Sequence, residues 1–459
     1  SIQRRHQKII EEAPSPSLDP DTRTALHAAA VAAGAAIGYT NAGTVEFLLG
    51  PRRPDPAGGA GGQEFFFLEV NTRLQVEHPV TEAVMGVDLV RLQLEVAAGG
   101  AVPDQAEIGP VEGHALEARL YAEDPTADFL PSTGVVRAFD VPGPVRVDGA
   151  FDDAAGAAPA GVVSQYYDPM VAKVIAHGPD RVIAARRLAA SLAGTVIDGI
   201  ATNRDLLVRT LRHPEFVGDG TDNRGDSEFL IRNPAAELGR PLLEGDGLAL
   251  AAAAAVLAAQ AGRRAADAHT PGVATGFRNV LTTPQRTTLT IGERPIEVAY
   301  RFVRGRLSSL AVDGAELVAP ALHAATADAV DLSIDGVRRT FEVRSTSGLN
   351  AGDAEDATVS VRGADGSVTF GVPARFAEPD ASAAPGSTVA AMPGTIVAVA
   401  VTPGDRVAEG DLLVTMEAMK MELAVTATTG GVVGSVPISV GDTVEAGQVL
   451  VVIEDGDGN

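Results

Sequence analysis

The chain has 459 residues, no cysteine, 60 Asp and Glu against 36 Lys and Arg, and a net charge of −24. That balance excludes nucleic acid and anionic membrane as bulk partners, and the lack of thiols excludes disulfides and thiolate metal sites. Hydrophobic residues make up 45% of the chain, enough to bury several cores despite 50 Gly and 29 Pro. No signal peptide reads from Ser1-Ile2-Gln3-Arg4-Arg5, and the alanine-rich run 248–261 reads as too short and too weakly apolar to span a bilayer. A cytoplasmic location is the expectation.

In chain order, Gly43-Thr-Val-Glu46-Phe-Leu reads as a strand. The Gly/Pro-rich insert 50–63 then returns the chain as a hairpin, which would set Glu46 beside Glu69. Within 65–77, Glu69, Asn71, Arg73, Gln75 and Glu77 recur at spacing two, so an extended chain would place them on one face. The ordinary reading is a strand with its polar face in water. Two features weigh against it. The run Phe65-Phe-Phe-Leu68 predicts that the strand starts deep in a core. The face also combines carboxylates, an amide oxygen and a guanidinium, a set suited to Mg²⁺ and an oxyanion. The run Gly58-Gly-Ala-Gly-Gly62 has no following Lys-Ser/Thr and reads as a loop.

Further on, 181–193 and 203–212 have helical spacing and cationic character, and 245–265 reads as one Ala/Leu-rich helix. Alternating segments follow at 285–291, 295–303, 307–313, 327–334, 337–344, 357–362 and 367–373, most of them separated by glycine turns. They predict an antiparallel β domain, a barrel wrapped on the helix. Residues 376–387 read as an Ala/Pro tether.

The last 73 residues contain an internal repeat. Gly394, Gly404, Asp405, Val407, Gly410, Leu413 and Glu417 recur 37 positions on, as Gly431, Gly441, Asp442, Val444, Gly447, Leu450 and Glu454. Each copy reads as short strands around a Gly-Asp turn, and two copies can close a small flattened β barrel that one alone cannot. Between them lies Glu417-Ala418-Met419-Lys420-Met421-Glu422, which the symmetry places at a hairpin. An exposed turn lysine is commonplace, but methionine on both sides of it at a turn tip is not.

This C-terminal segment closely resembles the biotinyl domain of biotin-dependent carboxylases, whose hallmark is Ala-Met-Lys-Met; the related lipoyl domains usually carry Asp and Ala around their lysine. Residues 1 to about 232 resemble the C-terminal half of a biotin carboxylase, an ATP-grasp enzyme. The likeness rests on Ser1–Pro14, the Glu46 strand, Glu69-Val-Asn-Thr-Arg-Leu-Gln-Val-Glu-His-Pro79, Gly113-His-Ala-Leu-Glu-Ala-Arg119-Leu-Tyr-Ala-Glu-Asp-Pro125, Phe129-Leu-Pro-Ser-Thr-Gly134 and Tyr166-Tyr-Asp-Pro-Met170. Pro271-Gly-Val-Ala-Thr-Gly-Phe-Arg-Asn279 resembles the start of the β region in acyl-CoA carboxylase α subunits.

The resemblance implies a multidomain chain. It comprises an α+β ATP-grasp half (1–232), an antiparallel β barrel-like docking domain with a helix (233–375), a linker (376–386) and an all-β barrel-sandwich biotinyl domain (387–459). It implies covalent biotin on Lys420, with ATP and Mg²⁺ (or Mn²⁺) as further cofactors. Glu46, Glu69 and Asn71 would hold the metal, with both glutamates also at the nucleotide, and His6 would contact ATP. Lys8, Arg73, Gln75 and the backbone of Val76 would hold bicarbonate, Glu77 would be the catalytic base, and Arg119 would take an oxyanion role beside biotin. The implied partners are a carboxyltransferase β subunit in a hetero-oligomer and a biotin protein ligase. The family's N-terminal domain and Gly-rich lid find no counterpart upstream of Ser1, so a truncated α subunit of acetyl-, propionyl- or methylcrotonyl-CoA type is expected. A carrier and docking protein without turnover is the alternative.

Overall fold

The computed structural model describes all residues except 53–62, 105–107, 152–159, 219–225, 271, 278, 280–282, 347–356, 375–386, 420 and 455–459. Apolar side chains gather into three main cores, each fed by one stretch of chain apart from a single residue considered below.

The first core surrounds an antiparallel sheet in the order β1 (Ile2–Arg4), β2 (Gln7–Ala13), β5 (His114–Tyr121), Met170–Gly178, Arg146–Gly149. Helix Arg181–Gly194 packs on β5 and Met170–Gly178, contributing Ala184, Leu188 and Leu192. Helix α2 (His78–Met85) packs on β2, β5 and Met170–Gly178, where Val80 and Val84 meet Ala115 and Ile175. Two covered faces explain why β5 is buried at seven of its eight positions although it contains Glu117 and Arg119. Period two sets Ala115, Glu117 and Arg119 on one face and Leu116, Ala118 and Leu120 on the other.

A separate hairpin joins β3 (Thr44–Arg52) to β4 (Gln63–Asn71). Contrary to the expectation of a deep start, Phe66, Phe67 and Leu68 are 55%, 59% and 60% exposed. Helix α1 (Pro20–Ala36), capped by Asp19 accepting from the Thr22 amide, buries only Thr22, and helix α3 (Leu89–Ala97) buries no residue.

The second core lies between helix Gly245–Ala266 and nine antiparallel strands. The sheet runs from Ala315–Glu316 through Arg294–Val303 and Gln285–Ile291, then Gly366–Gly371 and Val337–Ser345, to Ala321–Ala325. Strand pairing does not join the two edges among the described residues, so the sheet wraps the helix without closing the barrel that the alternation predicted. The helix matches the expected 245–265 to within one residue, but it extends beyond the run 248–261 and is by length and composition long and apolar enough to cross a bilayer, which corrects that part of the sequence expectation. Its apolar surface lies inside the protein: Leu250 through Ala259 are buried against the sheet. Asp246 in its first turn and Arg263 and Arg264 in its last complement the helix dipole. Polar contacts fasten this unit to the first. Ser367 Oγ donates to the Thr195 carbonyl at 2.6 Å, Arg204 reaches Ser367 Oγ at 2.7 Å, and Arg362 donates to the Gly194 carbonyl at 2.6 Å and pairs with Asp140.

The third core belongs to the repeat. Arg406–Val407 and Thr443–Val444 lie 37 positions apart, as do the starts of Leu412–Ala418 and Val449–Glu454. The bonds repeat as well. Asp405 accepts from the Thr402 amide at 2.7 Å and Asp442 from the Ser439 amide at 2.8 Å, while Gly404 donates to Val433 and Gly441 to Ile396. Gly404 and Gly441 have φ of 98° and 93°, the left-handed region in which a Cβ is strained. The copies interleave: Gly394–Val399 of the first pairs with Thr443–Val444 of the second, and Gly431–Ser435 of the second with Arg406–Val407 of the first.

Candidate active site

The ladder between β3 and β4 places Glu46 directly across from Glu69, as the hairpin reading expects. Asn71 Nδ2 bonds Glu46 Oε1 at 3.0 Å and Glu69 Oε1 at 2.8 Å, so both carboxylates converge on one amide group. Two carboxylates and an amide in reach of one point are a hard-oxygen donor set that fits Mg²⁺ once the amide presents its oxygen. The spacing-two face does not run on to Glu77. The strand ends at Asn71, and the chain turns through residues 72–77 into α2, with Glu77 at its N-cap. Pro79 early in α2 has its fixed φ there and lacks only an amide that the first turn would leave unpaired.

This turn swings Glu77 beneath β2 and β5. Lys8 Nζ bonds Glu77 Oε1 at 2.9 Å and Glu46 Oε1 at 3.2 Å. Arg119 Nη2 reaches Glu77 Oε2 at 3.1 Å, and its Nε donates to Glu11 Oε1 at 2.7 Å. The result is a row of alternating charge, Glu46, Lys8, Glu77, Arg119, Glu11, drawn from β3, β2, the turn before α2, and β5. Burial alone would push the Glu77 carboxyl up. The Lys8 bond, a backbone bond and the charges of Lys8 and Arg119 outweigh burial and hold it below the ordinary glutamate value, so it is ionised. Burial likewise disfavours the Lys8 ammonium, but the bond and charge of Glu77, with Glu11 and Glu46, hold its pKa above normal.

Of the other predicted residues, Gln75 is 8% exposed and its Nε2 lies 3.4 Å from Glu46 Oε1. Arg73 is exposed and folds over the turn, 3.3 Å from Gln75 Oε1 and 3.4 Å from Asn71 Oδ1. The Val76 carbonyl accepts from Lys173 Nζ at 2.7 Å. His6 stands apart: it occupies the exposed turn between β1 and β2 with φ of 69° and has no hydrogen bond or ion pair with the cluster among the described residues. Lys420 lies outside the described residues, as do the Gly58–Gly62 run and residues 376–386 of the tether; Ala418 and Met421 face each other in the ladder on either side of it.

Sequence reasoning missed Glu11 and Glu117. They are partners across the β2–β5 ladder, on the same face as Arg119. Glu117 is fully buried and neither of its carboxyl oxygens has a hydrogen-bond partner among the described residues; burial, with the charge of Glu11, pushes its pKa up to about 8. Burial pushes Glu11 up to about 7, against the pull of Arg119. The signal was present as Glu117-Ala-Arg119, two charges at spacing two inside an otherwise apolar strand.

Four family models match in succession: "Carbamoyl-phosphate synthase L chain, ATP binding domain" over 1–105, "Biotin carboxylase C-terminal domain" over 117–224, "Methylcrotonyl-CoA carboxylase, alpha-subunit, BT domain" over 246–368 and "Biotin-requiring enzyme" over 382–453. The mitochondrial methylcrotonoyl-CoA carboxylase subunit alpha of Mus musculus is 35% identical over 442 residues, covering 94% of this chain and 58% of that protein. The propionyl-CoA carboxylase alpha chain of Ruegeria pomeroyi is 36% identical over 463 residues, covering 94% of this chain and 63% of that protein. The biotin carboxylase domain of Hydrogenobacter thermophilus 2-oxoglutarate carboxylase, solved with MgADP and bicarbonate, is 35% identical, with a TM-score of 0.44 over 51% of this chain and 48% of that one. The chain thus spans less than two thirds of the length of the curated relatives it matches. With these models laid end to end and α subunits among its relatives, the chain is similar over nearly its whole length to the α subunits of biotin-dependent acyl-CoA carboxylases.

Proposed function

We propose that this chain carries out ATP- and bicarbonate-dependent carboxylation of biotin held on Lys420, as the α subunit of an acyl-CoA carboxylase of acetyl-, propionyl- or methylcrotonyl-CoA type. On this reading residues 1–232 serve the carboxylation, 233–375 dock a carboxyltransferase β subunit, and 387–459 carry biotin after a biotin ligase has attached it. The observation that carries the reading is the alternating row Glu46, Lys8, Glu77, Arg119, Glu11, assembled from four separate elements.

The roles are those that the family resemblance implies, and the surroundings of the clustered residues support them. Glu46, Glu69 and Asn71 would hold Mg²⁺, which when bound neutralises triphosphate charge. Lys8 and Arg73, with Gln75 and the backbone at Val76, would seat bicarbonate beside the ionised Glu77, which takes its proton. Arg119, always charged and held by Glu11, offers its fork to a developing anionic oxygen. His6 would turn toward the nucleotide from its exposed position.

The test uses the polypeptide as its gene encodes it, with ATP, Mg²⁺, biotin ligase and radiolabelled bicarbonate, followed by capture on streptavidin. Retained label that disappears in Lys420→Arg and falls at least about a hundredfold in Glu77→Gln supports the reading. Biotin without label would favour a carrier and docking protein that turns nothing over.

A further inference from the structure

One contact ties the carrier to the carboxylase part. The Met419 amide donates to the Gln165 carbonyl at 3.0 Å, its one acceptor among the described residues. Ala418 and Met419 are each 3% exposed. Met419 belongs to the first core, whose members include Phe129 and Val163, whereas neighbouring Met416 belongs to the carrier's own core. A two-residue turn at the tip of a hairpin points away from its own sheet. An apolar side chain there, at φ of 50°, is buried only because another unit receives it. The receiving loop, residues 164–169, leads into Met170, which pairs with Tyr121 on the strand that carries Arg119. The hairpin is thus seated at the Arg119 end of the sheet.

We propose that seating of the Ala418–Met421 turn on the Gln165 loop and biotinylation of Lys420 exclude one another, so that the carboxylase part controls when its own carrier is modified. The inference rests on the reading of Lys420 given above. In the modification the Lys420 ε-amine attacks the carbonyl of biotinyl-adenylate. An amide forms, AMP leaves with the bonding pair, and the amine proton passes to solvent. The enzyme that presents the adenylate must grip the residues beside Lys420, and in the seated state Met419 is covered by the first core. Only the unseated fraction is a substrate, so the rate falls in proportion to that fraction.

The lack of native cysteine makes the test clean. The backbone bond holds the Met419 nitrogen 3.0 Å from the Gln165 oxygen, and a disulfide between the two positions requires their Cα atoms within about 4.4–6.8 Å. In the Gln165→Cys/Met419→Cys chain, diamide should take two electrons and two protons from the thiols and lock the hairpin down. We expect biotinylation of the locked chain by a biotin ligase to be slower by at least about tenfold, with full recovery on reduction. The reduced form controls for any effect of Met419→Cys on the ligase. In the unsubstituted chain the Met419 amide should be protected from hydrogen exchange, because the hairpin itself supplies it no acceptor. Failure to form the disulfide together with an unprotected Met419 amide overturns the seating. Equal biotinylation of locked and reduced chains overturns the exclusion. Crosslinked dimers from mixing the two single variants overturn the assignment to the chain's own carrier. Absence of biotin from the unsubstituted and reduced chains would instead sink the reading of Lys420.

Discussion

The carrier repeat and the β3–β4 hairpin are both small antiparallel structures, yet they bury their apolar residues very differently. In the carrier, Leu413 and its repeat mate Leu450 are each 0% exposed, inside a core built from 387–459 alone. In the hairpin, Leu48, Phe66, Phe67 and Leu68 are 55–61% exposed, and the adjoining helices α1 and α3 bury almost nothing. A two-stranded ribbon has no second layer on which to place an apolar face, whereas two interleaved copies supply that layer to each other. Apolar pattern therefore reports burial only where the covering layer lies within the same stretch of chain.

The sharpest break in the comparison would come at Lys420. Lys420→Arg should abolish streptavidin labelling completely while leaving thermal unfolding of every unit unchanged; surviving label would refute the site. Next, Leu413→Ala and Leu450→Ala should each cost the carrier about 2–5 kcal/mol, by nearly equal amounts because the repeat makes their surroundings equivalent. Denaturant unfolding followed by a carrier-specific probe would show this, and a strongly unequal pair would refute the symmetry.

The first core and the carrier should also respond oppositely to pH. Glu117 is held protonated up to about pH 8, whereas an unfolded glutamate ionises near 4.5. Between those values the folded state keeps a proton that the unfolded state has released, so the first core loses stability as pH rises. Glu11, raised to about 7, adds to the same trend up to that value. In the carrier, the amide and hydroxyl of Thr402 hold the Asp405 carboxyl below its usual value, so any contribution from that exposed group is lost as pH falls. Calorimetry across about pH 5 to 8.5 should show the first core's transition descending, and Glu117→Gln should flatten the slope. A slope unchanged in that variant would remove Glu117 from the argument. The smallest effect belongs to Phe66→Thr on the exposed hairpin face. It should change stability by under about 0.5 kcal/mol while lowering the binding of a hydrophobic dye.

Much of the site could be read directly. The facing of Glu46 and Glu69 followed from a hairpin whose turn lies outside the described residues, because pairing across a hairpin constrains both strands at once. The common face from Glu69 to Glu77 did not survive past Asn71: Pro79 favours a helix start, and the chain must turn to reach it. Ala321–Ala325 was missed as an edge strand, since alanine favours helix and only its pairing with Ala329–Ile334 makes it extended.

What the sequence by itself determined are the features carried by local spacing: the 37-residue repeat, the hairpin strands that end at Ala418 and begin again at Met421, the long alanine-rich helix and most of the strands of the nine-stranded sheet. These depend on backbone periodicity and turn chemistry, which a few neighbouring residues suffice to specify. Only the tertiary structure decided that Glu77 lies between Lys8 and Arg119, that Glu11 and Glu117 sit buried behind that arginine, and that Met419 leaves its own barrel for a neighbouring core. Those placements join residues 42 to more than 250 positions apart, through sheet order and helix packing. Charge and burial act through space, and no local pattern encodes which distant surface will be there to meet them.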